Sequence, residues 1–300
     1  MGMKVDLICT ADMHLHWKTP AGRKDKFIDA QWRKVKFIAD LQKKYDCAVA
    51  NAGDTLDTWK SDKDSLMLEM ISMASDHLPT PFYTIYGQHE MPSHSMENTS
   101  RSPLNLLSKT RAGTIIIIPN GGYERYRGYK IYGAGYGYNK KINGNPNTIL
   151  LTHQMVWKGE EPYPGAPPEG NVDRVMESYP GHRLIVSGDN HVDFFRRSGY
   201  RTLINPGSMM RRTKAQKWWK PSVVLWNKSG DVQRVRIPVE KDVFHDDVNV
   251  EVGGKVFAVL ETISKASKVK DTFEANVADQ MEGLPHPTRL KVKKLMKETE

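Results

Sequence analysis

Cysteine is scarce in this chain, with only Cys9 and Cys47 in 300 residues, each inside an apolar run that reads as a strand. Two separated thiols build neither a disulfide framework nor a four-cysteine zinc site, so a reducing compartment is expected. Long hydrophobic runs are missing too: nothing approaches the roughly 20 apolar residues of a bilayer span. The opening MGMKVDLICT reads as a strand that meets polar Asp12 too soon for a signal peptide. A soluble, cytoplasmic chain is the expectation. Internal repeats and low-complexity tracts are also absent, which leaves one alternating array followed by a tail. Acid is short relative to base, 35 residues against 44, giving a formal charge of +9. That excess favours a polyanionic partner, although a basic surface kept for solubility is the plainer alternative.

The apolar runs that are present have strand length: Val5 to Thr10, Cys47 to Ala50, Phe82 to Tyr86, Ile115 to Ile118, Lys130 to Tyr132, Ile149 to Thr152, Leu184 to Ser187, Thr202 to Ile204 and Val223 to Trp226. Helical patterns separate the first three: Ile28, Trp32, Val35 and Ile38 share one face, as do Leu66, Met70, Met73 and Ala74. Strand, helix, strand, helix, strand predicts parallel pairing. Hairpin signals at Arg127-Gly128 and Lys228-Ser229-Gly230-Asp231 predict a second sheet that is largely antiparallel or mixed.

Five strands end in the same kind of residue. Asp12-Met13-His14 follows the first, Gly53-Asp54 the second, Gly87-Gln88-His89-Glu90 the third; later ends carry His153 and Gly188-Asp189-Asn190-His191. Any one loop carboxylate or imidazole is ordinarily a cap or a solvated side chain. Five together, at the sheet edge where α/β folds bind ligands, predict a metal site. Oxygen and imidazole donors without thiolate suit manganese, magnesium, iron or zinc, and there are enough of them for two ions. Asp12 and His14 fall on the same side of an extended segment and can chelate one ion, and Asp54 can bridge two. Such a pair orients a phosphate ester and binds water as hydroxide at neutral pH, so phosphoester hydrolysis is the expected chemistry.

This ordered set, spanning roughly residues 4 to 210, resembles the five-motif signature of the calcineurin-like metallophosphoesterases. The resemblance implies an α/β fold, a four-layer α/β/β/α sandwich. It implies Asp12, His14 and His191 on one ion, Gln88, His153 and Asp189 on the other, Asp54 between them, and His89 beside the scissile phosphate. The family usually has asparagine where Gln88 stands and histidine where Asp189 stands. Both departures fall on the same ion and favour a harder cation, most of all Mn2+; the alternative is a second ion that is weak or lost. Asp57 reads either as a partner orienting a ligand or as the cap of a helix from Asp62 to His77.

The basic segments choose among substrates. Lys18 to Lys44 carries nine basic and three acidic residues, and MMRRTKAQKWWK at Met209 to Lys220 carries five basic residues around Trp218 and Trp219. Lys18, Arg23, Lys24, Arg211, Arg212 and Lys214 are the candidate DNA contacts. With them the chain resembles the SbcD-type, meiotic-recombination-eleven branch of DNA repair nucleases, including its phage members. That branch implies a manganese-dependent exonuclease and endonuclease, a homodimer, and an SMC-like ATPase partner held by a C-terminal helix. Residues 1–238 are read as the nuclease domain and 239–300 as an extension, with a helix at about 255–282 and a basic tail. The loop between His153 and Gly170 reads as a lid or as a passive excursion, and His94 as a solvated histidine near the site. Two further functions stay open: a phosphatase or small-molecule phosphodiesterase, and a DNA-binding subunit with little or no catalysis.

Overall fold

The computed structural model describes residues 3–60, 64–163, 165–241 and 243–245. Two six-stranded sheets lie face to face. The first has the order β12-β11-β1-β2-β3-β4, from Val232–Arg236, Ser222–Trp226, Leu7–Thr10, Ala48–Asn51, Phe82–Thr84 and Ile115–Ile117. The second has the order β5-β6-β7-β8-β10-β9, from Tyr123–Tyr126, Tyr129–Ala134, Thr148–His153, Leu184–Gly188, Arg201–Asn205 and Phe194–Ser198. Alternation along the strands divides the apolar side chains among three cores. Leu7 and Cys9 of β1 and Ala48 and Ala50 of β2 face the second sheet, where Ile149, Leu151, Leu184, Val186 and Ile204 meet them. Ile8 and Val49 point the other way, against α1 (Phe27–Tyr45), α2 (Asp64–His77) and α3 (Pro103–Thr110). Leu150, Ile185 and Leu203 bury the outer face of the second sheet under Val172, Val175 and Met176 of α4 (Val172–Ser178). The layers are therefore α/β/β/α, as expected.

β1 to β4 pair in parallel, joined through helices. The second sheet is mixed, with a parallel centre of β6, β7, β8 and β10 and antiparallel edges at β5 and β9. One expectation needs correcting: the hairpin at Lys228 to Asp231 joins β11 and β12 to the first sheet, antiparallel to β1. β11 alternates Val223 and Leu225 toward the helices with Val224 and Trp226 toward the other sheet, so it needs a partner with two covered faces, and β1 offers one. α1 carries Asp29 in its first turn and Lys43 and Lys44 in its last, which complements the helix dipole, and it ends at left-handed Asp46. Residues 246–300, with the expected C-terminal helix and basic tail, lie outside the described residues, as do Asp62 and Lys63 before α2. No described helix is long and apolar enough to cross a membrane. Both cysteines are buried and unpaired.

Candidate metal centre

The parallel strands of both sheets deliver their C-terminal ends to one place. Asp12 and His14 leave β1, Asp54 leaves β2, Gln88 and His89 leave β3, His153 closes β7, and Asp189 and His191 leave β8. The loops turn so sharply that Asp12, His14, Asp54 and Asp189 hold left-handed backbones, with φ of 48°, 46°, 47° and 78°. Strain of this kind on residues other than glycine costs about 1–3 kcal/mol each, and it concentrates at functional sites. Two glycines make the approach close enough. A Cβ on Gly87 would stand 2.0 Å from Asp54 Oδ1, and one on Gly53 would stand 2.5 Å from His153 Nδ1.

Two clusters of ligand atoms result. In one, His14 Nε2 and His191 Nε2 face each other at 3.2 Å, with Asp12 Oδ1 3.9 Å and 3.8 Å away. In the other, His153 Nε2 lies 3.4 Å from Asp54 Oδ2 and 2.6 Å from Gln88 Oε1, and Gln88 Nε2 donates to Asp189 Oδ1 at 2.9 Å. Asp54 Oδ2 is also 3.8 Å from His14 Nε2, so it stands between the clusters. Asp12 Oδ1 accepts the Asp189 N–H and Asp54 Oδ1 accepts the His89 N–H, whereas both Oδ2 atoms are buried with no hydrogen-bond partner. A buried carboxylate oxygen left without a donor is costly unless a cation meets it.

His153 makes the same point. Its Nδ1 faces the Ala52 carbonyl at 2.7 Å and must donate, while its Nε2 faces only acceptors, Gln88 Oε1 and Asp54 Oδ2. The ring is therefore an imidazolium: burial opposes the charge, but the Asp54 and Asp12 carboxylates outweigh it and push the pKa up to about 10. Asp54 is pushed down to about 2, burial being outweighed by His153, His14 and His89. A divalent cation held by His153 Nε2, Gln88 Oε1 and Asp54 Oδ2 would take the place of the His153 proton. The donor set and the orphaned oxygens thus fit two cations.

The shell around these ligands was only partly legible in the sequence. Asp57 places Oδ1 3.1 Å from His14 Nδ1 and pairs with Arg212, which supports the orienting alternative over the helix cap. The Asp57 carbonyl accepts from His89 Nδ1 at 2.8 Å, turning His89 Nε2 toward the site on a side chain 41% exposed. Glu90 and Asn51 had no assigned role. Glu90 is fully buried and receives the N–H groups of Leu56 (2.9 Å) and Gly87 (3.0 Å), tying the β2 and β3 loops together. Asn51 donates to Gly53 O, Thr55 Oγ1 and Thr84 Oγ1 beneath them. The signal for Asn51 was an amide closing an apolar strand. His94 Nδ1 donates to Gln88 O at 3.0 Å and stays at the rim.

The basic residues divide. Arg23 and Arg211 are buried, Arg23 against Asp25 and the Arg211 carbonyl, Arg211 on the carbonyls of Lys217 and Glu240, so neither reaches a nucleic acid. Arg212 is committed to Asp57. The sequence pattern shows clustered charge but not which guanidinium the fold consumes. Lys18, Lys24 and Lys214 are exposed. So is Trp218, at 84%, and its neighbour Trp219 is anchored by Nε1 to Ser208 O at 2.8 Å.

The fold and site together define a four-layer sandwich with a buried carboxylate and imidazole centre at its strand ends. No protein-family model and no curated protein matches the chain. Solved structures that resemble it include an archaeal phosphodiesterase, 11% identical with a TM-score of 0.43, covering 77% of this chain and 98% of that one. The NAD nucleotidase of Haemophilus influenzae is 14% identical with a TM-score of 0.43, over 77% of this chain and 55% of that one. The Thermus thermophilus sulfate thiohydrolase SoxB is 13% identical with a TM-score of 0.43, over 87% of this chain and 62% of that one.

Proposed function

We propose that the chain is a divalent-metal-dependent phosphodiesterase that cleaves DNA. The hydrolytic half rests on one observation: Asp12 Oδ2 is buried without a donor and Asp54 Oδ2 has only His153 Nε2, at 3.4 Å, inside a shell of imidazoles contributed by separate loops. Asp12, His14 and His191 would hold one cation and Gln88, His153 and Asp189 the other, with Asp54 shared. Two such ions, Mn2+ above all given the hard Asp189 and Gln88 donors, would supply charge to orient a phosphate ester and to lower the pKa of water.

The protein groups then have separate tasks. Asp57 and the Ala52 carbonyl fix the rings of His14 and His153 so that each presents Nε2 to the centre. His89, its Nδ1 bound to the Asp57 carbonyl, presents Nε2 at the opening, where it can give a proton to a leaving oxygen. The DNA half rests on the loop after β10. Its Met209 N–H donates to Asp12 O at 3.2 Å, and the same loop carries exposed Trp218 beside Lys217. An exposed indole beside Lys217, on a loop whose Met209 is bonded to Asp12, suits the stacking of a nucleic-acid base.

End-labelled single- and double-stranded DNA, incubated with Mn2+, Mg2+, Zn2+ or chelator, tests the reading. Cleavage that needs Mn2+ and is lost in Asp54→Asn and His89→Asn is the expected result. Turnover of bis-nitrophenyl phosphate without DNA cleavage would make the chain a small-molecule phosphodiesterase, and DNA binding without hydrolysis under any ion would make it a binding subunit.

A further inference from the structure

Met209 links the metal centre to a second polar site, because its carbonyl accepts from Lys34 Nζ at 2.8 Å. Lys34 borders a cavity of about 220 Å3 lined also by Arg23, Arg33, Arg211 and residues Pro238 to Glu240. Its charges do not balance. Arg23 is neutralised by a two-point contact with Asp25, at 2.7 Å for each bond, and Arg33 by Glu240. Lys34 and Arg211, only 6% and 8% exposed, form no salt bridge among the described residues, and Asp25 and Glu240 offset only part of their charge from a distance. Lys34 has the Met209 carbonyl and, at 3.7 Å, Met210 Sδ. Arg211 gives its terminal nitrogens to the Lys217 and Glu240 carbonyls at 2.9 Å and 2.6 Å, and its Nε is buried without a partner.

Buried cations without counter-ions are expensive, and a protein removes that cost by supplying an anion or by losing the charge. We propose that this cavity binds a phosphate-type oxyanion between Lys34 and Arg211, with Arg33 at its mouth. Guanidinium and ammonium groups are the donors such an anion uses. The volume is far more than one water needs and less than the roughly 300–1,000 Å3 of sites for drug-sized ligands. The mouth lies between Arg33 and Glu240, 55% and 50% exposed, so the ligand is either a free ion or the phosphate end of a molecule that extends into solvent. Without the anion, burial and the charges of Arg23 and Arg211 push the Lys34 ammonium down to about 7. The bound anion would fasten α1, the loop after β10 and the segment at Pro238 to one another.

Thermal unfolding of the full chain tests this in EDTA, which silences phosphate affinity at the metal centre and separates this site from the proposed hydrolysis. Inorganic phosphate and adenosine monophosphate are compared with chloride at matched ionic strength, for the wild type, Lys34→Met and Arg33→Glu. Phosphate at about 100 times its Kd should raise the wild-type Tm by on the order of 5–10 °C. Lys34→Met, freed of an uncompensated charge, should unfold no lower than the wild type without phosphate and should bind it about tenfold or more weakly. Arg33→Glu alters an exposed residue and should weaken phosphate as well. A shift with both ligands identifies a phosphate monoester end, and a shift with phosphate alone a free ion; either upholds the site. No phosphate-specific shift in the wild type, or unchanged phosphate affinity in both variants, overturns it.

Discussion

Replacing Asp54 by asparagine separates the electrostatic role of the centre from its catalytic one. In metal-free protein Asp54 Oδ2 is the near counter-charge of His153, 3.4 Å away, with His14 and His89 at 3.8 Å and 3.9 Å. Asparagine keeps the shape and the acceptor for the His89 N–H but strands a buried imidazolium. Breaking a buried pair from one side costs about 3–5 kcal/mol. The pH dependence follows from the two shifts. His153 is raised from 6.5 to about 10, so its contribution is complete below pH 6.5 and is lost as pH rises through about 10. Asp54 is lowered from 3.8 to about 2, so its contribution is present above pH 3.8 and is lost as pH falls through about 2. Urea unfolding in EDTA should therefore show the largest deficit for Asp54→Asn between pH 4 and 6.5, narrowing toward pH 10. Saturating Mn2+ at about 100 times Kd should stabilise the wild type by about 3 kcal/mol and the variant far less. Equal midpoints in EDTA at pH 6, or equal stabilisation by Mn2+, would refute both the ion pair and the shared ligand.

Gly87→Ala sets a methyl 2.0 Å from Asp54 Oδ1, a contact the backbone relieves only by moving a ligand loop. Mn2+-dependent hydrolysis should fall by about 100-fold or more while far-UV circular dichroism holds, and retained activity would count against the close approach of these loops. His182, fully buried with its Nε2 facing the Ile142 carbonyl at 3.0 Å, is lowered from 6.5 to about 4 by burial, with Arg201 adding to it. Its folded pKa lies below its unfolded one, so its stability is present above pH 6.5 and disappears as pH falls toward 4. Acid titration should cost the wild type about 3 kcal/mol more than His182→Gln over that range. Trp218→Ala should weaken single-stranded DNA binding by about 1–3 kcal/mol without altering its salt slope, since no cation is removed, and fluorescence titrations at several salt concentrations measure both.

The layered fold was legible because its central strands are buried on both faces and stand out as apolar runs. β5, β9 and β12 gave no such signal: YERY, FFRRS and VQRVR are edge strands with mostly exposed side chains, fixed by pairing to β6, β10 and β11 rather than by burial of their own. The same limit applies to charge. Arg23, Arg211 and exposed Lys18 look alike in a basic segment, and only the packing of α1 against the loop after β10 turns the first two inward.

The candidate ligands were legible because each follows a recognisable strand, but the contact between Gln88 and Asp189 was not, since 101 positions separate them. Read along the chain they are two unrelated side chains. In the fold they are a single device. Aspartate at 189 is an acceptor, so the glutamine amide must turn its nitrogen toward it, and that leaves Oε1 aimed at His153 Nε2 and the centre. The anionic side chain fixes which atom of the neutral one is offered to a cation. A histidine at 189 would impose no such orientation, and an asparagine at 88, one methylene shorter, would be less able to span both neighbours. Under the proposed function the two residues would therefore act together, and the second ion's site would shift toward oxygen donors.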